Sequence, residues 1–554
     1  MFIKVLLTVI FLAVTVFVGI YSRKQAKNVD GFVLGGRNVG PWLSAFAYGT
    51  SYFSAVVFVG YAGQFGWKYG IASSWIGVGN AIIGSLLAWL ILGRRTKLMT
   101  QHIQSRTMPD FFGTRFANQG LRIAASIIAF VFLIPYTAGV YSGISKLFDM
   151  GFGIPYEYCI IIMALLTAVY VILGGYKATA INDFIQGIVM LGGIIAVIAV
   201  VLNSQGGLVE AFNKMKEVAP TAHDLESPLY AHFQPGDFAS WFGPNVMSLL
   251  GVVVLTSLGT WGLPQMVGKF YSITDESAIR RGTIISTLFA LIVAGGCYFL
   301  GGFGRLFGEP VWNEARHNYK FDDIIPTMLD TAVNSDLLIG LVMVLVLSAS
   351  MSTLASLVLT SSSTMTLDLI YRDKRATADE VKSGEIDDEV AEQVERRKVV
   401  IMRVLIVFFI VISVLIALNP PTFIAQLMGI SWGALAGAFL APFLTAPDWP
   451  AFSKRVLQLY GGHQETHERY FTGVNMIIRS VIIRLVNQLL RWDMEHAPFT
   501  IFGMEVDRYT HFTIPSGQQE VTLRVGGRID RMDIMTLDGH PTLRVVDYKT
   551  GRAK

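Results

Sequence analysis

The chain has 554 residues, of which 53% are hydrophobic and only 15% charged, against roughly a quarter charged in an ordinary soluble domain. That balance excludes a simple soluble globule and points to lipid. The net charge of +4 is too small to imply a nucleic-acid partner by itself, because membrane proteins gather Lys and Arg in cytoplasmic loops. Cys159 and Cys297 both lie in apolar stretches and read as buried free thiols, so redox chemistry is not indicated.

A bilayer core about 30 Å thick takes roughly 20 apolar residues per helix, and runs of that length recur from the amino terminus onward. The first, from Val5 to Tyr21, has only Lys4 ahead of it, and Arg23, Lys24 and Lys27 follow without a small-residue cleavage site. It is therefore expected as a retained span and not a signal peptide. About eleven spans are predicted, near 4–21, 41–66, 72–93, 122–147, 155–173, 179–202, 241–266, 283–304, 335–368, 399–418 and 422–444. Basic residues fall on one side of this series: Arg23 to Arg37, Arg94 to Arg115, then Lys269, Arg280, Arg281 and the mixed-charge loop 372–398. The positive-inside rule then predicts an external amino terminus and a cytoplasmic carboxyl terminus in a plasma-membrane protein. Trp42, Trp67, Trp241 and Trp312 lie near predicted span ends, where an indole keeps its N–H in water.

Two spans carry backbone breakers at mid-membrane depth. The second reads Gly49-Thr50-Ser51-Tyr52-Phe53-Ser54, and the seventh reads Ser257-Leu258-Gly259-Thr260-Trp261-Gly262-Leu263-Pro264. A helix broken in hydrocarbon is tolerated where the freed N–H and C=O groups line a cavity or bind a ligand. The two breaks lie five spans apart, as expected of two five-helix halves repeated with inverted topology around a midplane site. The ninth span adds a dense hydroxyl cluster, Ser348-Ala349-Ser350-Met351-Ser352-Thr353-Leu354-Ala355-Ser356. Hydroxyl oxygens from it, joined by carbonyl oxygens freed near Thr50 and Phe53, suit a monovalent cation that needs oxygen ligands without a full anionic charge; sodium fits. Asp183, early in the sixth span, has either interfacial solvation or a cation-linked or gating role.

Four motifs carry a family resemblance: Asn28-Val29-Asp30-Gly31-Phe32-Val33-Leu34-Gly35-Gly36-Arg37, Met108-Pro109-Asp110-Phe111-Phe112, Gly174-Gly175-Tyr176-Lys177-Ala178 with Asp183 and Gln186, and Met351-Ser352-Thr353-Leu354. With them, residues 1–444 resemble the sodium:solute symporter family. The resemblance implies an all-α polytopic membrane domain with a leucine-transporter-like fold of five plus five inverted repeats, preceded by one extra helix. It implies sodium-coupled import of a small organic solute by alternating access. The family's main sodium site maps onto the carbonyls of Thr50, Phe53 and Ala349 and the hydroxyls of Ser352 and Thr353, with Asp183 as a possible second sodium or coupling residue. Ser54, Tyr136, Thr256 and Thr260 line up with substrate-pocket positions. Proline symporters carry an Asp where this chain has Tyr52, and a Trp and a Tyr where it has Thr256 and Thr260, which leaves the solute open.

Beyond Leu444 the character changes, since 26 of residues 445–554 are charged, close to the soluble norm of about a quarter. A helix over 473–492 is predicted, followed by alternating strand-like runs in a soluble cytoplasmic domain. The runs contain Gly527-Arg528-Ile529-Asp530 and Val545-Val546-Asp547-Tyr548-Lys549-Thr550-Gly551. Two carboxylates and an ammonium on adjacent strands can hold Mg²⁺ and stabilise a developing phosphorane charge; two exposed hairpin acids are the plainer reading. The segment resembles the PD-(D/E)XK nuclease superfamily in its recombination-repair branch. That resemblance makes Asp530 and Asp547 metal ligands and Lys549 catalytic. The sequence stops at Lys554, before the helix that completes such a core, so an incomplete domain is expected. The alternative to a transporter is a membrane-tethered DNA nuclease anchored by the spans. A pure anchor, however, needs one span and no polar midplane.

Overall fold

Glycines in left-handed backbone conformations decide how the long apolar helices divide. The computed structural model describes residues 2–23, 26, 28–274, 276–314, 318–333, 335–371, 388–445, 499–516, 519–537 and 540–546. Among these, eight helices are long and apolar enough to cross a membrane, or nine when the bent pair Val246–Gly262 and Pro264–Tyr271 counts as one span. Two of the eight, Val56–His102 and Tyr156–Ser204, run 47 and 49 residues, about 70 Å at 1.5 Å per residue and more than twice a bilayer core. Each is interrupted at a glycine, Gly70 with φ +60° and Gly175 with φ +56°, a region that side chains with a Cβ rarely adopt. Dividing both gives the eleven predicted spans.

Span 1 (Phe2–Ser22) stands outside the repeat and packs on spans 5, 6 and 9. Spans 2 to 6 occupy residues 41–204 and spans 7 to 11 occupy 246–445, so each half opens with a broken helix. In span 2 the helix Pro41–Tyr52 ends at Phe53, whose extended backbone (φ −105°, ψ 124°) separates it from a π-helical turn, Val56–Tyr61. In span 7, Val246–Gly262 and Pro264–Tyr271 meet at 50°. Pro264 has no N–H to give and sits at the first turn of the second half, where none is needed.

Small residues let the helices meet closely, as packing in lipid requires. A Cβ on Gly66 of span 2 would lie 2.0 Å from the carbonyl oxygen of Gly301 in span 8, and one on Gly77 would lie 2.4 Å from the Gly295 Cα. Near the span ends, polar groups tie helices and loops together. Arg122 joins Asp368 at 2.9 Å and Asp110 at 3.3 Å, while Thr107 donates to Asp368 at 2.6 Å. Toward the opposite end of the bundle, Arg305 pairs with Asp224 at 2.9 Å, and its guanidinium lies 4.0 Å from the Trp67 ring centroid. Trp42 and Trp241 are exposed, in keeping with an interfacial position. Trp67 departs from that expectation: it is buried, and its indole N–H donates to the Asp224 carboxylate, which replaces water. Cys159 and Cys297 are buried free thiols.

The chain divides into two compact units, Met1–Trp449 and Pro450–Lys554. In the second, Phe499–Ser516, Gln519–Leu537 and His540–Val546 form an antiparallel sheet in chain order. Asp530 lies on the middle strand beside the last register pair, Arg531 with Val546. Asp547, Lys549 and the predicted helix 473–492 lie outside the described residues.

Candidate functional site

At the break in span 2 the Thr50 carbonyl accepts a short-range bond from the Phe53 N–H at 3.3 Å, and span 9 adds hydroxyls to it and to the Phe53 carbonyl. Ser352 Oγ donates toward Thr50 O at 3.3 Å and Ala349 O at 3.0 Å. Thr353 Oγ1 lies 3.2 Å from Phe53 O and 3.1 Å from Ala349 O. Five oxygens therefore converge, three carbonyl and two hydroxyl, from residues that are all buried. None carries a formal charge. Thr50 contributes only its carbonyl, because its own hydroxyl is turned back to Phe46 O at 2.8 Å. Such a set replaces part of the hydration shell of a hard cation without fixing it too tightly for release.

Beside this cage, a separate chain of hydrogen bonds runs from span 2 to a buried ion pair. Lys269 Nζ donates to Ser356 Oγ at 2.9 Å, Ser356 lies 3.2 Å from Ser51 Oγ, and Ser51 donates to Ala47 O at 2.7 Å. The ammonium, a donor only, fixes the direction of the chain. It also stands 3.6 Å from Asp183 Oδ2 and 5.1 Å from the Tyr176 ring centroid. Asp183 is fully buried, so interfacial solvation does not apply to it. Lys269, grouped from sequence with the basic loops, is likewise buried, in the second half of broken span 7. Its partner, 86 positions away in sequence, is invisible to loop counting. A narrow cleft reaches this lysine, lined among others by Arg106, Tyr176, Gln265, Ser356, Thr360 and Ser363.

On the other side of the break, Ser54 Oγ, Tyr136 Oη and Trp432 Nε1 are buried polar atoms with no hydrogen-bond partner. Tyr136 and Trp432 meet edge to face with centroids 6.1 Å apart, and Tyr52 meets the same indole at 6.1 Å. The structure thus brings Trp432 against Tyr136, whose hydroxyl also faces Ser54; Trp432 is absent from the sequence reading, and an indole in mid-span, away from the interfacial belt, is the available signal. Thr256 and Thr260 differ. The Thr256 hydroxyl is engaged by Asn80 Oδ1 at 3.1 Å and Val252 O at 2.9 Å, and that of Thr260 by Ser257 O at 2.9 Å. Tyr52 Oη donates to Thr256 O at 3.0 Å, closing the pocket on that side.

With this geometry in place, residues 32–455 match the family model of the sodium:solute symporter family. The chain belongs to the sodium:solute symporter family. This symporter-family chain is 26% identical over 456 residues to sodium/proline symporter 2 of Staphylococcus saprophyticus, covering 81% of this chain and 82% of that one. It is also 26% identical over 450 residues to an osmoregulated proline transporter of Bacillus subtilis, covering 79% and 82%. Among solved structures, a Na⁺-coupled sialic acid symporter in a substrate-bound, outward-open state matches with a TM-score of 0.63 at 17% identity, over 79% of this chain and 86% of that one. This likeness speaks for the fold, which is leucine-transporter-like in a multi-pass membrane protein. Residues 447–554 match the model of the PD-(D/E)XK nuclease superfamily.

Proposed function

We propose that residues 1–444 form a sodium-coupled symporter that imports a small organic solute across the plasma membrane by alternating access. The observation that carries this is the neutral five-oxygen cage of Thr50, Phe53, Ala349, Ser352 and Thr353, which joins a broken helix of one repeat to an intact helix of the other. An ion held there bridges two elements that move relative to one another in alternating access, so its binding biases their arrangement. The unpartnered groups of Ser54, Tyr136 and Trp432, with Thr256 and Thr260 across span 7, are proposed to receive the solute's polar atoms. The curated relatives are named for proline, which makes proline the first solute to test. Proteoliposomes loaded with the full chain should take up a labelled solute from a panel of small amino and organic acids only with an inward sodium gradient. The paired change Ser352→Ala and Thr353→Ala should abolish that dependence. Uptake by the paired variant that still follows sodium refutes the site.

For the second unit we propose a Mg²⁺-dependent nuclease-like segment, residues 445–554, on the cytoplasmic side, with Asp530 and Asp547 as ligands and Lys549 as the catalytic ammonium. The superfamily match and the strand that carries Asp530 support this reading. The full chain should nick linear DNA with Mg²⁺ and lose that activity on Asp547→Ala. DNA left intact by the unaltered chain discards the proposal and leaves the symporter untouched.

A further inference from the structure

The carboxylate of Asp183 and the hydroxyl of Ser356 make a half-built second cation site one helical turn beyond Ser352. Ser356 lies four residues after Ser352 on the same face of span 9, and its Oγ reaches span 2 through Ser51. Asp183 is fully buried, and neither carboxylate oxygen takes a hydrogen bond. Oxygens of this kind, one anionic and the others hydroxyl, are what a sodium ion recruits in a dry interior. The position facing them is already filled. Lys269 Nζ stands 3.6 Å from Asp183 Oδ2 and 2.9 Å from Ser356 Oγ, over the face of Tyr176, and is itself buried.

We infer that Lys269 is a tethered cation that takes the place of a second sodium beside Asp183, so that the protein binds one sodium ion per transport cycle. The inference rests on the sodium reading of the neutral cage. A free ion entering next to Asp183 would set two cations against one buried carboxylate, with Lys269 Nζ already 3.6 Å from it, where their repulsion is poorly screened. The side chain also explains the directed run from ammonium to Ser356, to Ser51 and to the Ala47 carbonyl. A hydrated ion would have to be rebound in every cycle, whereas Lys269 holds spans 2, 6, 7 and 9 to one another without leaving.

The test is equilibrium binding of radioactive sodium to the purified full chain, read as ions bound per protein and as the Hill coefficient. The unaltered protein should bind one ion with a Hill coefficient of about 1, whereas Lys269→Met should bind two with a coefficient approaching the number of sites, about 2. Because Lys269→Met leaves Asp183 buried without a counter-charge, the neutral pair Asp183→Asn with Lys269→Met is measured beside it and should return to one ion. Two ions on the unaltered protein, or one on a folded Lys269→Met, overturns the inference and leaves the cage reading intact. Should Lys269→Met not fold, a neutral pair that binds two ions overturns it equally. Failure of the unaltered protein to bind sodium at all sinks the cage reading, and the inference with it.

Discussion

Thr353→Val tests the cage with the least disturbance, because the side chain keeps its branched shape and loses only the hydroxyl. That hydroxyl spans Phe53 O at 3.2 Å and Ala349 O at 3.1 Å, so its removal deletes one of five ligands and unties the two carbonyls. A hydrogen bond or dipole acting on a charged group contributes about 1.5–3 kcal/mol, which corresponds to a loss in sodium affinity of roughly 10- to 150-fold at 1.4 kcal/mol per decade. The control is Thr353→Ser, which restores the oxygen and is expected within about threefold of the unaltered protein, under 1 kcal/mol on the same scale. Sodium-dependent thermal stabilisation in detergent reads both, since an ion that binds only the folded state raises stability as RT ln(1 + [L]/Kd). Equal midpoints for sodium in Thr353→Val and the unaltered protein would show that the hydroxyl does not touch the ion and that the cage is a packing motif. A loss shared by Thr353→Ser would show that shape, not the oxygen, is at issue.

Arg122→Met strands the buried carboxylate of Asp368, with Asp110 beside it, and should cost about 3–5 kcal/mol in a thermal or denaturant measurement; adding Asp368→Asn should recover part of it. Gly66→Ala places a methyl 2.0 Å from the Gly301 carbonyl and should lower the unfolding midpoint or the yield of folded protein, whereas Gly36→Ala meets no atom within 4 Å and carries only the strain of its φ of +72°. In the loop before span 9, burial raises the Asp322 carboxyl above its usual range, against the opposing charge of Lys146. The folded state therefore holds a proton that the unfolded chain has released, and this group's contribution to stability falls as pH climbs from about 4 toward the raised value. In a pH series of melting temperatures, Asp322→Asn should remove that downward slope; an unchanged slope would assign it to other groups.

Length and polarity made most of the membrane domain legible. Spans were visible because hydrocarbon demands apolar runs, and the two breaks because a freed backbone needs polar neighbours within reach. The exact point of rupture was less visible. Gly49, the conspicuous breaker in span 2, lies inside the helix, where its missing side chain makes room for the Phe289 ring, which a Cβ there would meet at 2.6 Å. The chain actually opens at Phe53 and Ser54, residues with no breaker chemistry, because the hydroxyls of span 9 hold it open from outside. Lys269 shows the same limit. A lysine at the edge of an apolar run reads as a loop charge until a carboxylate from another helix is found beside it. Trp432 is hard to read for a related reason, since its indole acquires meaning only beside Tyr52 of span 2 and Tyr136 of span 4, far from it in sequence.

The absence of formal charge in the five-oxygen cage has an electrical consequence. On the proposed sodium reading, Asp183 and Lys269 offset one another beside the cage, so the site gains a charge only when the ion arrives. The loaded form then feels the transmembrane voltage, worth about 2.3 kcal/mol per 100 mV for a full crossing, while the return of the ion-free form does not. On that reading, transport of an uncharged solute is electrogenic, and hyperpolarisation accelerates the inward stroke alone.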